Sequence, residues 1–277
     1  MTAHSQQTAW KASLELGFSR RAERTAIVRR KHFGPLRIQS PFYPEGDVCH
    51  VYILHPPGGV VGGDCLDIDL SVDAGAHALV TTPASGKFYR SNGSMAFQQQ
   101  RLAVASDAVL EWLPQDTILF SDSYVNISTR VDLAHNARFI GWDMLCLGRP
   151  ASGESYDGGF CRQALELWRD GKPLFIERSR YESQASLLNE AWGLQSYNVV
   201  ATMVATHATP ETIDLARSIG LDAEKGDLAC TLIGDVLVCR LLAHQGETAR
   251  QIFSQVWQAI RPQLLGREAS PPRIWNT

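Results

Sequence analysis

Residues 124–148 read YVNISTRVDLAHNARFIGWDMLCLG. In the first part, NISTRVDL, polar and apolar residues alternate, the period that gives a β-strand one buried and one wetter face. In the second part, FIGWDMLCLG, the run is apolar almost throughout, which suggests a strand buried on both faces. Two strands of opposite character in close succession describe a layered β structure. The same texture extends outward from this stretch. Residues 10–18, 48–54, 66–72, 77–81, 95–103, 109–113, 160–168 and 173–181 are short segments of similar kind, punctuated by Gly, Pro, Asn, Asp and Ser.

The last third of the chain changes period. Thr209 as N-cap, Pro210 at the first helical position, Glu211 in the first turn and Gly220 past the end predict a short helix over residues 210–218. From Glu247 to Leu265 the apolar residues Ile252, Phe253, Val256, Trp257, Ile260 and Leu264 recur at three- and four-residue spacing, predicting a second helix in which Pro262 interrupts the hydrogen bonding near the end. Residues 228–233 and 236–242 form a predicted hairpin around Gly234–Asp235. No repeat of fixed period and no linker composition stands out. The expectation is therefore one mainly β domain over residues 1–277, built of many short strands with two α-helices late in the chain.

Composition narrows the function. The chain has 277 residues, 44% hydrophobic, with 26 basic and 29 acidic residues mixed along it and a net charge of −3. Such a balance lacks the basic field that phosphate-backbone binding requires, so no nucleic-acid partner is expected. The N-terminal residues show no apolar core with a cleavage site, no segment is long and apolar enough for a membrane span, and a cytoplasmic location is expected. Cys49, Cys65, Cys146, Cys161, Cys230 and Cys239 are scattered without a C-x-x-C pair and read as reduced, mostly buried residues.

Several local patterns bear on chemistry. Residues 56–64, PPGGVVGGD, need sharp turns or a close backbone approach, but match neither phosphate-binding glycine pattern; a turn presenting Asp64 is the simpler reading. Ser85-Gly86-Lys87 imitates the end of a P-loop, yet Thr81 stands where its first glycine belongs and Phe88 where its hydroxyl belongs. Glu111, Asp143 and Glu177 are carboxylates in strongly apolar contexts. Each needs an ion-pair partner, a cation or a catalytic purpose if it is buried. The eight histidines form no metal-binding pattern, and no nucleophile signature is present.

Four segments in order, LHPPGGVVGGD (54–64), TTPASGKFYRS (81–91), LEWLPQDTILFSDS (110–123) and FIGWDMLCLGRPASGE (139–154), together with the ending PPRIWNT, resemble the UreD (UreH) family of urease accessory proteins. The resemblance covers nearly the whole chain. It implies a helical, solenoid-like β architecture with two α-helices, and a non-enzymatic maturation factor with no tightly bound cofactor. The implied partners are UreF, the GTPase UreG and the urease apoprotein, with UreE as indirect nickel donor and nickel as a transported ion. It also implies an internal tunnel for nickel, and places Asp64, Asp143 and Glu177 as metal-path residues, with Ser85 and Lys87 as further tunnel lining. A conduit wants sparse oxygen ligands that release the ion again, which suits scattered carboxylates better than a Cys/His cage.

A scaffold that joins partners must expose apolar anchors. Trp257 and Trp275 are the candidates, against core packing for Trp257 and folding back of the tail for Trp275. The rival function is a β-solenoid hydrolase using paired carboxylates drawn from Asp64, Asp143 and Glu177. Its acids would have to face each other across a groove at roughly 5–10 Å.

Overall fold

A computed structural model describes residues 9–183, 185–222 and 224–276. The N-terminal residues 1–8, read above for a leader, and Thr277 of the tail lie outside the described residues. Two β-sheets face each other and are filled by one chain that coils between them.

The first sheet has seven strands: β1 (Lys11–Arg21), β2 (Arg24–Phe33), β5 (Cys65–Val72), β8 (Ala96–Val104), β11 (Ser123–Leu133), β13 (Gly159–Arg169) and β14 (Lys172–Glu182). Their order is β14-β13-β11-β8-β5-β1-β2. The second has ten: β3 (Arg37–Ile38), β4 (Cys49–Leu54), β6 (His77–Thr81), β7 (Gly86–Phe88), β9 (Val109–Leu113), β10 (Thr117–Leu119), β12 (Arg138–Leu147), β15 (Val199–Thr206), β16 (Gly226–Ile233) and β17 (Val236–Ala243). Its main path runs β16-β17-β15-β12-β9-β6-β4-β3, with β7 and β10 attached beside β12.

Between β4 and β13 the chain passes alternately from one sheet to the other, and each strand pairs in parallel with the one a coil earlier. That is a β-solenoid. Its coils close on one side through three tight turns, where Ala76, Ala108 and Ala137 N–H groups donate to the carbonyls of Asp73, Ala105 and Ala134. On the other side the connections are long, covering residues 55–64, 82–95, 114–122 and 148–158. Because these loops differ in length, the coils leave no fixed period in the sequence. Antiparallel pairs end the stack: β2 on β1, and β14 on β13.

The inner faces meet in an apolar core that includes Leu14, Leu16, Ile68, Leu70, Leu102 and Val131 from one sheet and Val51, Val80, Leu110 and Phe139 from the other. A second core lies outside the ten-stranded sheet, beneath α1 (Pro210–Arg217) and α2 (Gly246–Leu265). Both helices follow their sequence signals. Thr209 and Thr212 form a reciprocal capping box at the start of α1. Gly266 ends α2 in the left-handed conformation, donating to the Pro262 carbonyl at 2.9 Å. The hairpin β16–β17 turns at Gly234–Asp235 as expected.

Five strands fall outside the sequence expectation: β2, β3, β7, β10 and β15. β2 is an edge strand whose last six residues are all exposed, so no alternating face marks it. β7 and β10 have three residues each and pair with one another inside the long-loop layer. The residues read as a false P-loop are thus partly a strand.

A polar layer between two sheets

One row of residues crosses the inner face of the seven-stranded sheet in register: Leu14, Ile68, Gln100, Thr129, Leu165 and Glu177. On the facing sheet, Asp143, Thr202 and Arg240 form another row. The two rows touch through their polar members. Thr129 Oγ1 lies 2.6 Å from Gln100 Oε1 and 3.2 Å from Asp143 Oδ2. Thr202 donates to Glu177 Oε1 at 2.8 Å, and Arg240 donates to Glu177 Oε2 from Nε at 2.9 Å and Nη2 at 2.6 Å. A polar layer therefore crosses an apolar interior.

The strand pattern explains it. In β8, Gln100 is in phase with the buried Leu102-side face rather than with exposed Arg101, so a glutamine enters the core and must be hydrogen-bonded there. In β12, Trp142 and Met144 point to the helices, which sends Asp143 inward. Burial pushes the Asp143 carboxyl up to about 6; the Thr129 hydroxyl opposes this and the nearby Glu177 charge adds to it. Asp143 is thus a buried carboxyl biased toward its protonated form, and among the described residues no cationic side chain forms a salt bridge with it. Glu177, by contrast, is held by the Arg240 guanidinium at the partly exposed margin of the layer.

Toward the long-loop side, Gln98 and Gln100 line a cavity of about 380 Å³ with His55, Ser85, Lys87, Trp112 and Thr117. Burial lowers the His55 pKa, with Asp64 opposing it, so the cavity wall carries an imidazole biased to its neutral, ligand-competent form. Ser85 donates to Asp116 at 2.6 Å. Lys87 also borders a second cavity of about 580 Å³ on the outer side, lined with Asp116, Arg149 and Arg250.

Asp64 is buried and structural in its contacts. Its carboxylate accepts the Trp10 N–H at 2.8 Å and the Val61 N–H at 3.0 Å, fixing the turn of PPGGVVGGD. Two of the four glycines there meet protein closely: a Cβ on Gly59 would lie 2.1 Å from the Tyr89 ring, and one on Gly62 2.1 Å from Ser91 Oγ. The expected acid trio therefore divides. Asp143 and Glu177 share the polar layer, whereas Asp64 sits in the loop layer beside His55.

Trp257 and Trp275 are corrected from exposed anchors to core residues. Trp257 is 0% exposed and donates to Glu111 Oε2 at 2.6 Å; Trp275 is 6% exposed and donates to Thr81 Oγ1 at 2.9 Å. Both rings pack together and Trp275 also against Trp142, so the tail folds back and seals the outer core. With both rings buried and both N–H groups satisfied within the chain, neither tryptophan is the exposed anchor expected from the sequence.

Glu111 needs a partner, and has several. Arg261, 0% exposed, donates bidentately to Glu111 at 2.9 Å from both Nε and Nη2, and bidentately to Glu45 at 2.8 and 3.0 Å. His77 Nε2 lies 2.7 Å from Glu111, and His50 Nε2 lies 2.8 Å from Glu45. Burial alone would raise the Glu111 pKa, but His77 and Arg261 outweigh it and hold it at about 2. This cluster fastens α2 to the sheet. Among the described residues, no group of three or more His, Cys, Asp or Glu side chains is arranged to hold a metal ion, and no helix is long and apolar enough to cross a membrane.

The fold and its interior define a class: a capped β-solenoid, helix-covered on one sheet, with a polar layer running between its sheets. A family model described as "UreD urease accessory protein" matches residues 11–276. The chain belongs to this family. It is 44% identical over 275 residues to a urease accessory protein UreD of Azoarcus sp. (strain BH72), covering 99% of this chain and 96% of that one. It is 43% identical over 276 residues to that of Saccharophagus degradans, covering 97% and 93%, and 44% identical over 279 residues to that of Citrobacter koseri, covering 99% and 95%. The relatives and this chain are matched along nearly their full lengths.

Proposed function

We propose that this urease accessory protein works in the cytoplasm as a non-enzymatic, single-unit scaffold in urease maturation, and that nickel crosses it along the polar layer. UreF, the GTPase UreG and the urease apoprotein are its proposed partners, with UreE supplying nickel to the assembly. The observation that supports this reading is a succession of polar groups: Gln100 lines the His55–Ser85–Lys87 cavity, Thr129 joins it to Asp143, and Asp143 lies within the field of Glu177. Neutral oxygen donors with two carboxyls, one of them engaged by Arg240, bind a hydrated divalent ion weakly enough to release it. Nickel is cargo here, so no cofactor is proposed to reside in the chain.

The hydrolase alternative is less well supported. Glu177 is engaged by Arg240 and Thr202, and Asp143 lies between the sheets, an arrangement without room for a polymer between the two carboxylates. The test uses Asp143→Asn and Glu177→Gln, singly and together, with Arg101→Ala on the outer face as control. Nickel per urease active site is measured after the accessory complex is verified by co-purification. The conduit reading expects the double variant to deliver under a tenth of the control's nickel with an intact complex. Full nickel loading by that variant overturns it.

A further inference from the structure

The two cysteines Cys230 and Cys239 face each other across β16 and β17. The hairpin closes with a two-residue loop, Gly234–Asp235, so Ile233 and Val236 form its hydrogen-bonded end pair and every second pair from there alternates. Three steps along, Cys230 and Cys239 fall at a non-hydrogen-bonded position. The backbone confirms this. The Cys230 carbonyl turns away from β17 and accepts Arg217 Nε at 3.3 Å and Nη2 at 3.0 Å.

Non-hydrogen-bonded cross-strand pairs bring their Cα atoms to about 4.5 Å with side chains in close approach. Disulfides span Cα separations of roughly 4.4–6.8 Å. Both thiols belong to the core beneath the helices, on the same face of the hairpin, and β16 is the outermost strand of its sheet. Cys239 is fully buried, whereas Cys230 keeps 9% of its surface exposed at that edge.

We propose that Cys230 and Cys239 form a reversible dithiol–disulfide site that reacts with low-molecular-weight disulfides of the glutathione class. The Cys230 thiolate attacks one sulfur of the small disulfide, breaking its S–S bond and releasing a thiolate that takes up a proton. Cys239 then gives up its proton and attacks the Cys230 sulfur of the mixed disulfide, expelling the second small thiol. Two protein thiols are oxidised and one small disulfide is reduced to two thiols, so electrons balance. The bridge would pin the edge strand β16 to the strand that carries Arg240.

The electrostatics agree with Cys230 as the attacking sulfur. The contact between the two thiols lowers the pKa of one at the expense of the other, and Arg217 beside Cys230, with the exposure of Cys230, favours that sulfur as the thiolate. The isolated cysteines move the other way: burial pushes Cys49 up to about 11 and Cys146 and Cys161 up to about 12. Low thiolate pKa and access at an edge are what thiol–disulfide exchange needs.

The full-length chain, incubated in glutathione buffers of graded oxidised-to-reduced ratio, is quenched by alkylation and mapped by mass spectrometry. The proposal expects an intramolecular bridge between Cys230 and Cys239 alone, reversed by dithiothreitol, with the other four cysteines recovered as thiols. Cys239→Ala is expected to trap a glutathione adduct on Cys230, and Cys230→Ala to give neither bridge nor adduct; circular dichroism verifies that each variant is folded. Should either variant be unfolded, the wild-type map decides alone. Oxidation that appears only in chaotrope, that pairs other cysteines, or that stops at a glutathione adduct in the wild-type chain overturns the proposal.

Discussion

The two sheets are built from similar strands and present opposite outer faces. Outside the ten-stranded sheet, Trp142, Met203, Cys239 and Leu241 are buried under α2, α1 and the folded-back tail. Outside the seven-stranded sheet, one register row reads Lys31, Glu15, Asp69, Arg101, Arg130, Glu166, a ladder of charges from strand to strand. Parallel strands are ordinarily covered on both faces. Here a parallel sheet is left bare, and charge pairing such as Arg101 with Asp69 at 2.6 Å takes the place of a covering layer. One face is therefore held by burial and the other only kept wet, which ranks the expected cost of substitutions.

The largest effect belongs to the covered side. Arg261→Ala leaves Glu111 and Glu45 buried without their shared guanidinium and is expected to cost about 3–5 kcal/mol, read as a lowered midpoint in urea unfolding. A loss under about 1 kcal/mol would mean that α2 is held by apolar packing alone.

Between the sheets the sign reverses. The Asp143 pKa is raised in the folded chain to about 6, so the folded form favours the protonated acid. Its contribution is fully present below the ordinary value of 3.8 and is lost as pH rises through about 6. Asp143→Asn, which keeps the shape without the charge, is expected to stabilise the chain at pH 8 by up to roughly 3 kcal/mol and to be neutral at pH 4. Thermal unfolding of both chains at the two pH values checks this; equal differences at both would assign Asp143 no titration in this range.

The smallest effect is expected on the bare face. Arg101→Ala removes an ion pair with a half-exposed arginine and is expected to change stability by less than about 1 kcal/mol, shrinking further in high salt. A salt-independent loss comparable to that of Arg261→Ala would break the distinction between the two faces.

The same contrast explains what the sequence disclosed. Strands with one buried face, such as β5 with Leu66, Ile68, Leu70 and Val72, announce themselves by alternation. Both helices announce themselves by capping and spacing. β2 does not, because an edge strand exposed on most of its length needs no apolar period, and charged residues suit it. For the site, Asp143 and Glu177 are legible as acids in apolar runs, and so is Glu111. Their partners are not, since Arg261 lies 150 residues from Glu111 and Arg240 lies 63 from Glu177. Gln100 is the residue that sequence reading passed over, although the QQQ of β8 puts a glutamine in phase with Leu102 and Val104. Trp257 and Trp275 mislead for a related reason: composition shows an aromatic tail, but only the fold shows the pocket of indoles that receives it.

The antiparallel strands at the two ends of the seven-stranded sheet set a further property. A coil of parallel strands has no intrinsic length, and stacked copies can extend it as a fibre extends. β2 and β14 reverse direction, and β2 carries Arg29, Arg30 and Lys31 in its exposed stretch. A neighbour arriving in the parallel sense finds the wrong strand polarity and a row of positive charge. The molecule is thereby a finite ruler, and the distance between the loop-side cavity and Glu177 is a fixed span.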